Sequence, residues 1–331
     1  MWKSINYEVC GRSHSQSSTP CQDKTKACTI NAVKIIALAD GAGSQPLSHF
    51  GAAVVTDSIC QYLAQHFDRL LGDPDGKQAK KDILAHLLGR LRVKSEKLSC
   101  NIRELASTLL AVAVKGNMFL MLHIGDGVIG CLKNKELKVV SDPENGEFAN
   151  TTSFVTSREA IYVMKLFKGS TTDIAGFVLM SDGTAESLYH KKHNKFAHVL
   201  FKLMHRTAIL DSDKMYEFIK ESFDRVLVLN TQDDCSIALL CRQKGPLCKY
   251  ADMTLGQKCD LLNITAYDRA AKRRVKRFDD IMYYLEEGKT LKQLSKLLYL
   301  KEKYTRRHLK RLEGLGLVSR KGKTYSKIVT A

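Results

Sequence analysis

The sequence lacks the features of a membrane or secreted protein. No stretch approaches the ~20 consecutive apolar residues that a transmembrane helix needs. The opening residues, MWKSINYEVCGRSHS, have no apolar core after a basic start, which argues against a secretory signal. The ten cysteines include no C-x-x-C pair and no finger-like Cys/His spacing, so we expect reduced thiols and no zinc site. These absences predict a cytoplasmic protein that has no membrane partner.

Several catalytic motifs are missing as well. No cysteine is followed by arginine six positions later, as the loop of the cysteine-dependent phosphatases requires, and G-x-x-x-x-G-K-[ST], H-E-x-x-H and G-x-S-x-G do not occur. Residues 125–130, GDGVIG, fit G-x-G-x-x-G, but a dinucleotide site also needs a helix to begin there. The sequence that follows, CLKNKELKVV, indicates two strands and a turn. We therefore exclude nucleotide binding at this loop.

Acidic residues are too few to balance the basic ones, and the deficit is concentrated at one end. The 331 residues carry a formal net charge of +17, with an ordinary hydrophobic content of 44%. Residues 246–331 hold 21 Lys and Arg against 9 Asp and Glu, a net of +12, whereas residues 1–245 hold 31 against 26, a net of +5. This distribution predicts a separate C-terminal module that binds a polyanion, although a solvated basic face has the same composition.

Aspartates are nevertheless placed regularly in the first 243 residues. Apolar runs typical of buried strands meet an aspartate at one end, and these aspartates are Asp40, Asp126, Asp182 and the pair Asp233 and Asp234. A glycine follows each of the first three, which permits a sharp turn. A single Asp-Gly pair is more often only a hairpin turn. Four such strand ends together favour a site for a hard divalent cation, Mg²⁺ or Mn²⁺.

The order of elements predicts an α+β fold. Strands are expected around 4–10 and 26–39, helices at 48–69 and 78–98, strands across 107–141 and 153–180, helices at 184–206 and 212–229, and a last strand at SIALLCR. Short turns make consecutive strands antiparallel neighbours. Helices grouped outside the strand runs are expected to cover the sheet faces, which gives a layered sandwich rather than an alternating βα chain.

Six short motifs, in order, resemble those of the metal-dependent protein phosphatases of type 2C. They are CQD (21–23), ADGAGS (39–44), AST (106–108), HIGDG (123–127), MSDGTAE (180–186) and TQDDCSIAL (231–239). The opening GRSH and PCQD resemble a bacterial branch of the family. The resemblance covers residues 5–243 and implies a four-layer α-β-β-α sandwich of two antiparallel sheets. It also implies hydrolysis of phosphoserine or phosphothreonine in a partner protein, with a cognate Ser/Thr kinase as a further expected partner.

The resemblance implies a role for each carboxylate. Two Mn²⁺ or Mg²⁺ ions activate a water molecule for attack on phosphorus in this family, and a third ion is held more weakly. The implied catalytic residues are Asp40, Asp182 and Asp233. By position, Asp40 bridges the two ions, the Gly41 carbonyl binds one of them, Asp182 and Asp233 hold the second, Asp23 acts through bound water, and Asp126 supports the third. Asp234 stands where many relatives have asparagine, and its role is open.

The sequence departs from the family at the residue that binds substrate phosphate. Ser18 occupies the place of the arginine found in many relatives, and Arg12 or His14 are the candidates to replace it. Gln22 and Ala42 stand where glutamate and histidine are frequent. The missing arginine supports an alternative, a DNA-binding transcriptional regulator with a catalytically weak phosphatase-like sensor domain. The three catalytic aspartates favour the enzyme.

The end of the chain predicts a winged helix-turn-helix domain over residues 266–331, after a linker at 244–265. A basic amphipathic helix ends at Gly288, a short helix capped by Thr290 follows, and a second basic helix precedes a hairpin with Lys-Gly at its tip. The segment Tyr304–Val318 resembles the recognition helix and following strand of bacterial transcriptional regulators. This module is expected to bind DNA.

Basic side chains recur on the second basic helix, the third helix of the module, at i, i+3, i+4, i+7 and i+8, which puts them on one face. Three more lie in the hairpin. The set expected to bind nucleic acid is Lys303, Arg306, Arg307, Lys310, Arg311, Arg320, Lys321 and Lys323. Such a helix fits the major groove while the hairpin reaches phosphates. Winged helices also dock proteins, so a docking role stays open.

Overall fold

A computed structural model describes residues 1–134, 136–142, 152–210, 212–242, 250–262, 264 and 268–328. The chain falls into two compact units. The first comprises Trp2–Ala197 with Ser212–Cys241, and the second comprises His198–Asp211 with Arg242–Ala331 and Met1. The predicted boundaries after residue 243 and before residue 266, and residues 244–249, 263 and 265 of the predicted linker, lie outside the described residues. Within the described ranges, no helix combines the length and apolar character needed to cross a membrane.

The strands and helices are numbered in chain order. The strands are β1 (Trp2–Val9), β2 (Lys24–Ile30), β3 (Val33–Ala39), β4 (Leu109–Lys115), β5 (Met118–Ile124), β6 (Val128–Lys133), β7 (Glu136–Ser141), β8 (Lys165–Ser170), β9 (Ile174–Met180), β10 (Tyr189–His190), β11 (Lys195–Phe196), β12 (Cys235–Arg242), β13 (Lys289–Thr290), β14 (Val318–Lys321) and β15 (Thr324–Lys327). The helices are α1 (Arg12–Ser17), α2 (Ser48–Gly72), α3 (Gly76–Leu98), α4 (Ala160–Val163), α5 (Asp182–Leu188), α6 (His198–Ile209), α7 (Ser212–Ser222), α8 (Leu255–Leu261), α9 (Arg269–Tyr284), α10 (Leu291–Leu297) and α11 (Glu302–Gly314).

Two antiparallel sheets of five strands form the centre of the first unit, in the orders β2-β3-β4-β5-β8 and β1-β12-β9-β6-β7. The sequence of β3 explains why it lies inside the protein, since every residue except Lys34 is buried. Successive side chains of a strand point to opposite faces. Ile36 and Leu38 accordingly pack in the core between the sheets, while Ile35 and Ala37 pack in the core beneath the helices.

Helices cover the outer faces of these sheets. Apolar residues recur every third or fourth position along α2 and α3, and this stripe packs onto the first sheet, as expected for an amphipathic helix; the buried members include Val55, Ile59, Leu63, Phe67, Ile83, Leu87 and Leu91. The helices predicted at 48–69 and 78–98 are therefore present. On β1 the ring of Tyr7 packs edge to face against Tyr216 of α7 and against Phe223. Helices thus lie against both sheets.

Two predicted elements are wrong. The strand expected at 153–157 is a turn, because the backbone N–H of Phe154 donates to the Ser157 hydroxyl at 3.0 Å and the chain then enters α4. The helix expected across 184–206 is interrupted by the hairpin of β10 and β11. Asn194 adopts the left-handed conformation there, with φ of 49°, which ends a helix and suits a turn.

The second unit has its own core. Its helices α8 to α11 and the small sheet, in the order β13-β15-β14, enclose apolar side chains that include Phe278, Leu294, Leu309, Leu312 and Tyr325. Thr290 caps α10 as predicted, since its hydroxyl accepts the Gln293 N–H and the Gln293 side chain accepts the Thr290 N–H. This reciprocal capping box satisfies two backbone donors that a helix start otherwise leaves unpaired. Helix α9 ends at Tyr284, four residues before Gly288.

Candidate metal centre

The strand register brings the acidic strand ends to one edge of the sandwich. Lys24 at the start of β2 pairs with Ala39 at the end of β3. In the other sheet, Ile237 of β12 and Val128 of β6 both pair with Met180 at the end of β9. Because neighbours are antiparallel, the start of one strand lies beside the end of the next. The aspartates that flank these strand ends, in chain order, are Asp23, Asp40, Asp126, Asp182, Asp233 and Asp234.

Three of these aspartates form a tight group. Asp40, Asp126 and Asp182 each offer a carboxylate oxygen, and these oxygens all lie within 4.8 Å of one another. Thr108 fixes the backbone of Asp40 from both sides, because its hydroxyl accepts the Asp40 N–H at 2.9 Å and its own N–H donates to the Asp40 carbonyl at 2.8 Å. Asp182 is the first residue of α5 and accepts the Gly183 N–H at 2.7 Å. Their spacing allows one cation to contact all three.

The loop that carries Asp126 is closely confined. Gly125 has φ of 113°, a conformation that favours glycine, and a Cβ there would lie 2.5 Å from the Thr108 side chain. One Asp126 oxygen accepts the Thr152 hydroxyl at 2.5 Å. The other is buried and has no hydrogen-bond partner among the described residues. A buried carboxylate oxygen without a donor is costly unless a cation occupies its lone pairs.

Asp23 and Asp233 lie beside this group in contrasting environments. Asp23 is 1% exposed, and neither of its carboxylate oxygens has a hydrogen-bond partner within the described part of the chain. Asp233 is exposed, and one of its oxygens accepts the Asp234 N–H at 2.8 Å. The structure thus places the predicted water-mediated ligand deeper than the predicted direct one.

The carboxylates raise one another's pKa values. Burial, followed by the charges of its neighbours, raises the pKa of Asp40 well above its ordinary value. Burial and the charges of Asp126 and Asp233 raise the pKa of Asp182 to about 6. Burial, with Asp234 and Asp182 adding to it, raises the pKa of Asp23 to about 7 against the opposing hydroxyls of Ser236 and Ser181. A divalent cation removes this mutual repulsion, so the donor set fits such an ion.

Gly41 lies just after the C-terminal end of β3, where no larger residue fits. Its N–H donates to the Gln22 carbonyl at 3.2 Å, and it forms an isolated bridge with Ser107. A Cβ on Gly41 would lie 2.8 Å from the Ser48 hydroxyl and 3.0 Å from the Gln22 carbonyl. This close approach explains the glycine after Asp40 and ties the segment before Asp23 to the end of β3.

The two candidate phosphate ligands lie on α1. Arg12 donates from Nε to the Thr231 carbonyl at 3.1 Å. Nδ1 of His14 lies 3.0 Å from a carboxylate oxygen of Asp234, which is 3% exposed. Both side chains therefore stand beside the loop that carries Asp233. Ser18, in the place expected for arginine, is exposed and ends α1 in the left-handed conformation.

Residues that sequence reasoning missed hold the ligands in place. His123 is 2% exposed, its Nδ1 lies 2.6 Å from the Ser141 hydroxyl, and its Nε2 lies 3.0 Å from the Gly125 carbonyl next to Asp126. Thr108 and Thr152 contact Asp40 and Asp126. The motifs AST and HIGDG contain Thr108 and His123, so their positions were visible in sequence. Thr152 has no motif around it.

The eight predicted nucleic-acid ligands lie in the second unit, and all are exposed. Two of them also make contacts within the unit. The Arg311 guanidinium donates to the Leu262 carbonyl and lies 5.8 Å from the centre of the Phe278 ring. Arg320 lies 5.4 Å from the centre of the Tyr325 ring. Arg311 and Arg320 therefore also pack against the core of their unit.

Comparison with known proteins agrees with this geometry. The family model described as Protein phosphatase 2C matches residues 10–221. Serine/threonine-protein phosphatase 3 of Escherichia coli (strain K12) is 25% identical over 258 residues, which cover 72% of this chain and 97% of that protein.

Solved structures share the fold. The S. agalactiae serine/threonine phosphatase matches with a TM-score of 0.51 and 15% identity, covering 73% of this chain and 100% of that one. A bacterial serine phosphatase matches with a TM-score of 0.50 and 13% identity, covering 73% and 98%. Both likenesses concern the arrangement of sheets and helices.

Proposed function

The chain belongs to the protein phosphatase 2C family, serine/threonine phosphatases that use Mn²⁺ or Mg²⁺, and we propose that it removes phosphate from phosphoserine or phosphothreonine in a partner protein. The observation that carries this proposal is the group of Asp40, Asp126 and Asp182, whose oxygens lie within 4.8 Å. Buried oxygens of Asp23 and Asp126 that have no hydrogen-bond donor among the described residues support it. The partner that carries the phosphate, with its cognate kinase, belongs to the proposal.

The roles that we propose for the metal-site residues are those that the family resemblance implies. Asp40, Asp182, Asp233 and the Gly41 carbonyl would hold two ions, with Asp40 shared between them; Asp23 would act through water, and Asp126 would support a third ion. When bound, the ions activate water for in-line attack on phosphorus and neutralise the phosphate. The chain's residues would hold the cations and keep the carboxylates oriented, and the bound cations would offset the repulsion among those carboxylates. Thr108 keeps Asp40 at the end of β3.

We assign the substrate phosphate to Arg12 and His14. Both side chains project from α1 and contact the loop of Thr231 and Asp234, next to Asp233. A hydrogen-bond donor beside a metal ligand is placed to contact a phosphate oxygen on the same ion. Changing Arg12 or His14 to Ala should raise KM for p-nitrophenyl phosphate while leaving the Mn²⁺ affinity unchanged. Arg90→Ala, an exposed arginine on α3, is the matched control; an equal rise in KM there would contradict the assignment.

For the second unit we propose a winged helix-turn-helix that binds DNA. The order of α9, α10 and α11 followed by the hairpin β14–β15 supports it, as does the capped start of α10. The exposed basic side chains of α11 and the hairpin are suited to phosphates. A protein-docking role is the competing outcome, and retention on duplex DNA at low salt separates the two.

The second candidate function is a regulator whose phosphatase-like unit senses a metal or phosphoprotein with little turnover. The observation in its favour is Ser18, an exposed serine where the family's phosphate-binding arginine is expected. Hydrolysis of p-nitrophenyl phosphate with Mn²⁺ and with EDTA distinguishes the candidates. Mn²⁺-dependent turnover that Asp182→Asn abolishes supports the enzyme. Mn²⁺ binding without turnover supports the sensor.

A further inference from the structure

Asp234, whose role the sequence leaves open, is buried next to an exposed metal-site residue. It is 3% exposed, whereas Asp233 is exposed. One Asp234 carboxylate oxygen accepts the Gly11 N–H at 2.7 Å, and the other accepts the Gln22 N–H at 2.6 Å. Hydrogen bonds from backbone N–H groups to an ionised carboxylate are short and strong. Both oxygens of Asp234 are therefore occupied by backbone donors that are eleven residues apart in sequence.

The two donors lie at the ends of one segment. Gly11 begins the segment and Gln22 immediately precedes Asp23. Between them the chain follows α1 and returns, so Asp234 closes a loop of backbone on itself. Further bonds join the same surfaces: the Ser13 N–H donates to the Gln232 carbonyl at 3.0 Å. A Cβ on Gly11 would lie 2.3 Å from the Asp233 carbonyl, so the segment rests directly on the loop.

The position of Asp23 depends on this backbone. Its carboxylate is buried, and the hydroxyls of Ser181 and Ser236 lie beside it, so its position depends on where the main chain is held. Lys24 donates from Nζ to the Asp23 and Cys21 carbonyls at 2.9 Å and 3.1 Å. The Gln22 N–H donates to Asp234, and the Gln22 carbonyl accepts the Gly41 N–H. The main chain is therefore held at Gln22 before Asp23 and by Lys24 after it.

We propose that Asp234 is a positioning residue that clamps the backbone at Gly11 and Gln22 and thereby holds Asp23 in the metal centre. In this role Asp234 acts through the two backbone N–H groups that it accepts, and not as a ligand of the ion. The proposal rests on the metal role assigned above to Asp23. It predicts that the metal centre weakens when the clamp is removed, although no metal ligand has changed.

A competing role for Asp234, as a metal ligand together with Cys10 and His14, is tested in the same experiment. The Cys10 thiol, His14 Nδ1 and a carboxylate oxygen of Asp234 lie within 4.8 Å of one another, a donor set that zinc also accepts. The backbone bonds of Asp234 oppose that role, since a metal there would compete with two N–H donors. Under the clamp proposal Cys10 is dispensable, and Cys10→Ser should bind Mn²⁺ like the wild type.

The experiment measures Mn²⁺ binding by calorimetry on the full chain in four variants. Asp234→Ala should weaken binding by about 10- to 100-fold, the usual effect of removing a group that orients a metal ligand. Asp234→Asn should fall between Asp234→Ala and the wild type, because the amide oxygen still accepts one N–H. Asp75→Ala removes a carboxylate that accepts the Lys77 N–H at 2.9 Å at the start of α3. It should lower the melting temperature without changing the Mn²⁺ affinity.

Two outcomes overturn the proposal. One is Mn²⁺ affinity in Asp234→Ala equal to the wild type; the other is a loss of affinity in Cys10→Ser, which would make the cluster itself a metal site. If Asp234→Ala does not fold, Asp234→Asn decides, since it keeps one bond and the volume. A wild type that binds Mn²⁺ but hydrolyses no p-nitrophenyl phosphate overturns the proposed function alone. The ratio of Mn²⁺ affinities would still test the clamp.

Discussion

The two units of this chain differ in the sign of their functional charges and in how those charges are arranged. In the first, a few carboxylates are concentrated at the edge of two sheets, buried or half-buried, and their pKa values are raised by burial and by one another. In the second, many cations are spread over an exposed helix and hairpin. Buried charges interact strongly at short range, while exposed charges are screened by solvent and salt.

The contrast predicts different responses to mutation. A concentrated site fails when one ligand is lost, since each carboxylate has a distinct geometric role. A distributed surface loses affinity in small steps, because each cation neutralises about one phosphate. The difference can be measured as the size of the effect per side chain. The predictions below run from the largest expected effect to the smallest.

The largest effect is expected from a single ligand. Asp182→Asn should lower Mn²⁺-dependent turnover by more than about 100-fold, because it removes a charged oxygen from the group that holds the cation. Steady-state hydrolysis of p-nitrophenyl phosphate measures this, and thermal unfolding should show a smaller stabilisation by Mn²⁺. Asp173→Asn, an exposed aspartate before β9, is the control. Near-normal turnover in Asp182→Asn would remove this residue from the ligand set.

The second unit should need several changes for a comparable loss. Replacing Lys303, Arg306, Arg307, Lys310 and Arg311 together with Ala should flatten the slope of log K against log salt for duplex DNA by roughly 3 units, if about three of them contact phosphates. The full chain is used, since the second unit also includes α6 and α8. A charge-matched control changes five cations of α3, Lys77, Lys81, Arg90, Arg92 and Lys97. An equal loss in the control would indicate nonspecific attraction.

Arg311 sharpens this comparison within one helix. Its guanidinium donates to the Leu262 carbonyl and lies against Phe278, so Arg311→Ala alone should destabilise the unit more than it changes the salt slope. Arg306→Ala should do the reverse. Binding isotherms at several salt concentrations, with unfolding curves of the same proteins, distinguish the two. Capture of a partner protein without DNA retention would convert the unit to a docking domain.

A smaller effect is expected at Asp126. The family assigns it to a weakly held third ion, and Asp126→Ala should then lower turnover by about 10-fold while the tight sites keep their affinity. The structure places an oxygen of Asp126 and an oxygen of Asp182 each within 4.8 Å of an oxygen of Asp40. Calorimetry with Mn²⁺ discriminates the two readings, because loss of a tight site in Asp126→Ala would place the residue with the primary ligands.

The positions of these ligands were more predictable than their environments. Buried runs such as VKIIALA and FVLM end at Asp40 and Asp182, so hydrophobic pattern located both carboxylates at strand ends. The hydrophobic pattern could not reveal that Asp23 is buried, with no hydrogen-bond donor to its carboxylate among the described residues, while Asp233 is exposed. Both residues precede a strand. Those differences come from long-range contacts such as that of Asp234 with Gly11 and Gln22, which no local pattern encodes.

Short polar segments were the least predictable part of the fold. The region 153–157, SFVTS, contains the aromatic and β-branched residues typical of a strand, but the Ser157 hydroxyl accepts the Phe154 N–H and the chain turns there. The stretch from Tyr189 to Phe196 is compatible with a helix until Asn194 takes a positive φ. In both cases a single side chain or backbone conformation outweighs a weak local propensity. Thr290 shows the opposite case, in which a local capping signal was sufficient.

The last prediction concerns the stability of the metal-free protein rather than its activity, and its sign opposes that of the first prediction. Folding raises the pKa of Asp182 from 3.8 to about 6, so the folded state binds a proton more tightly than the unfolded chain. The favourable contribution of that proton is complete below pH 3.8 and is lost as the pH rises through about 6. At pH 7.5 the ionised side chain therefore costs the metal-free fold on the order of 1–3 kcal/mol.

Asp182→Asn removes that cost. With EDTA present, the variant should be more stable than the wild type at pH 7.5, by about 1–3 kcal/mol in the free energy of unfolding, and the advantage should shrink by pH 5. Urea unfolding of wild type and variant at both pH values measures it. Equal stability of Asp182→Asn and wild type at pH 7.5 would mean that the carboxylates do not repel one another in the absence of metal. If Asp182→Asn is the more stable protein, then the substitution that abolishes turnover also stabilises the metal-free protein. That result is expected where the charges of a site are arranged for binding a cation rather than for stability.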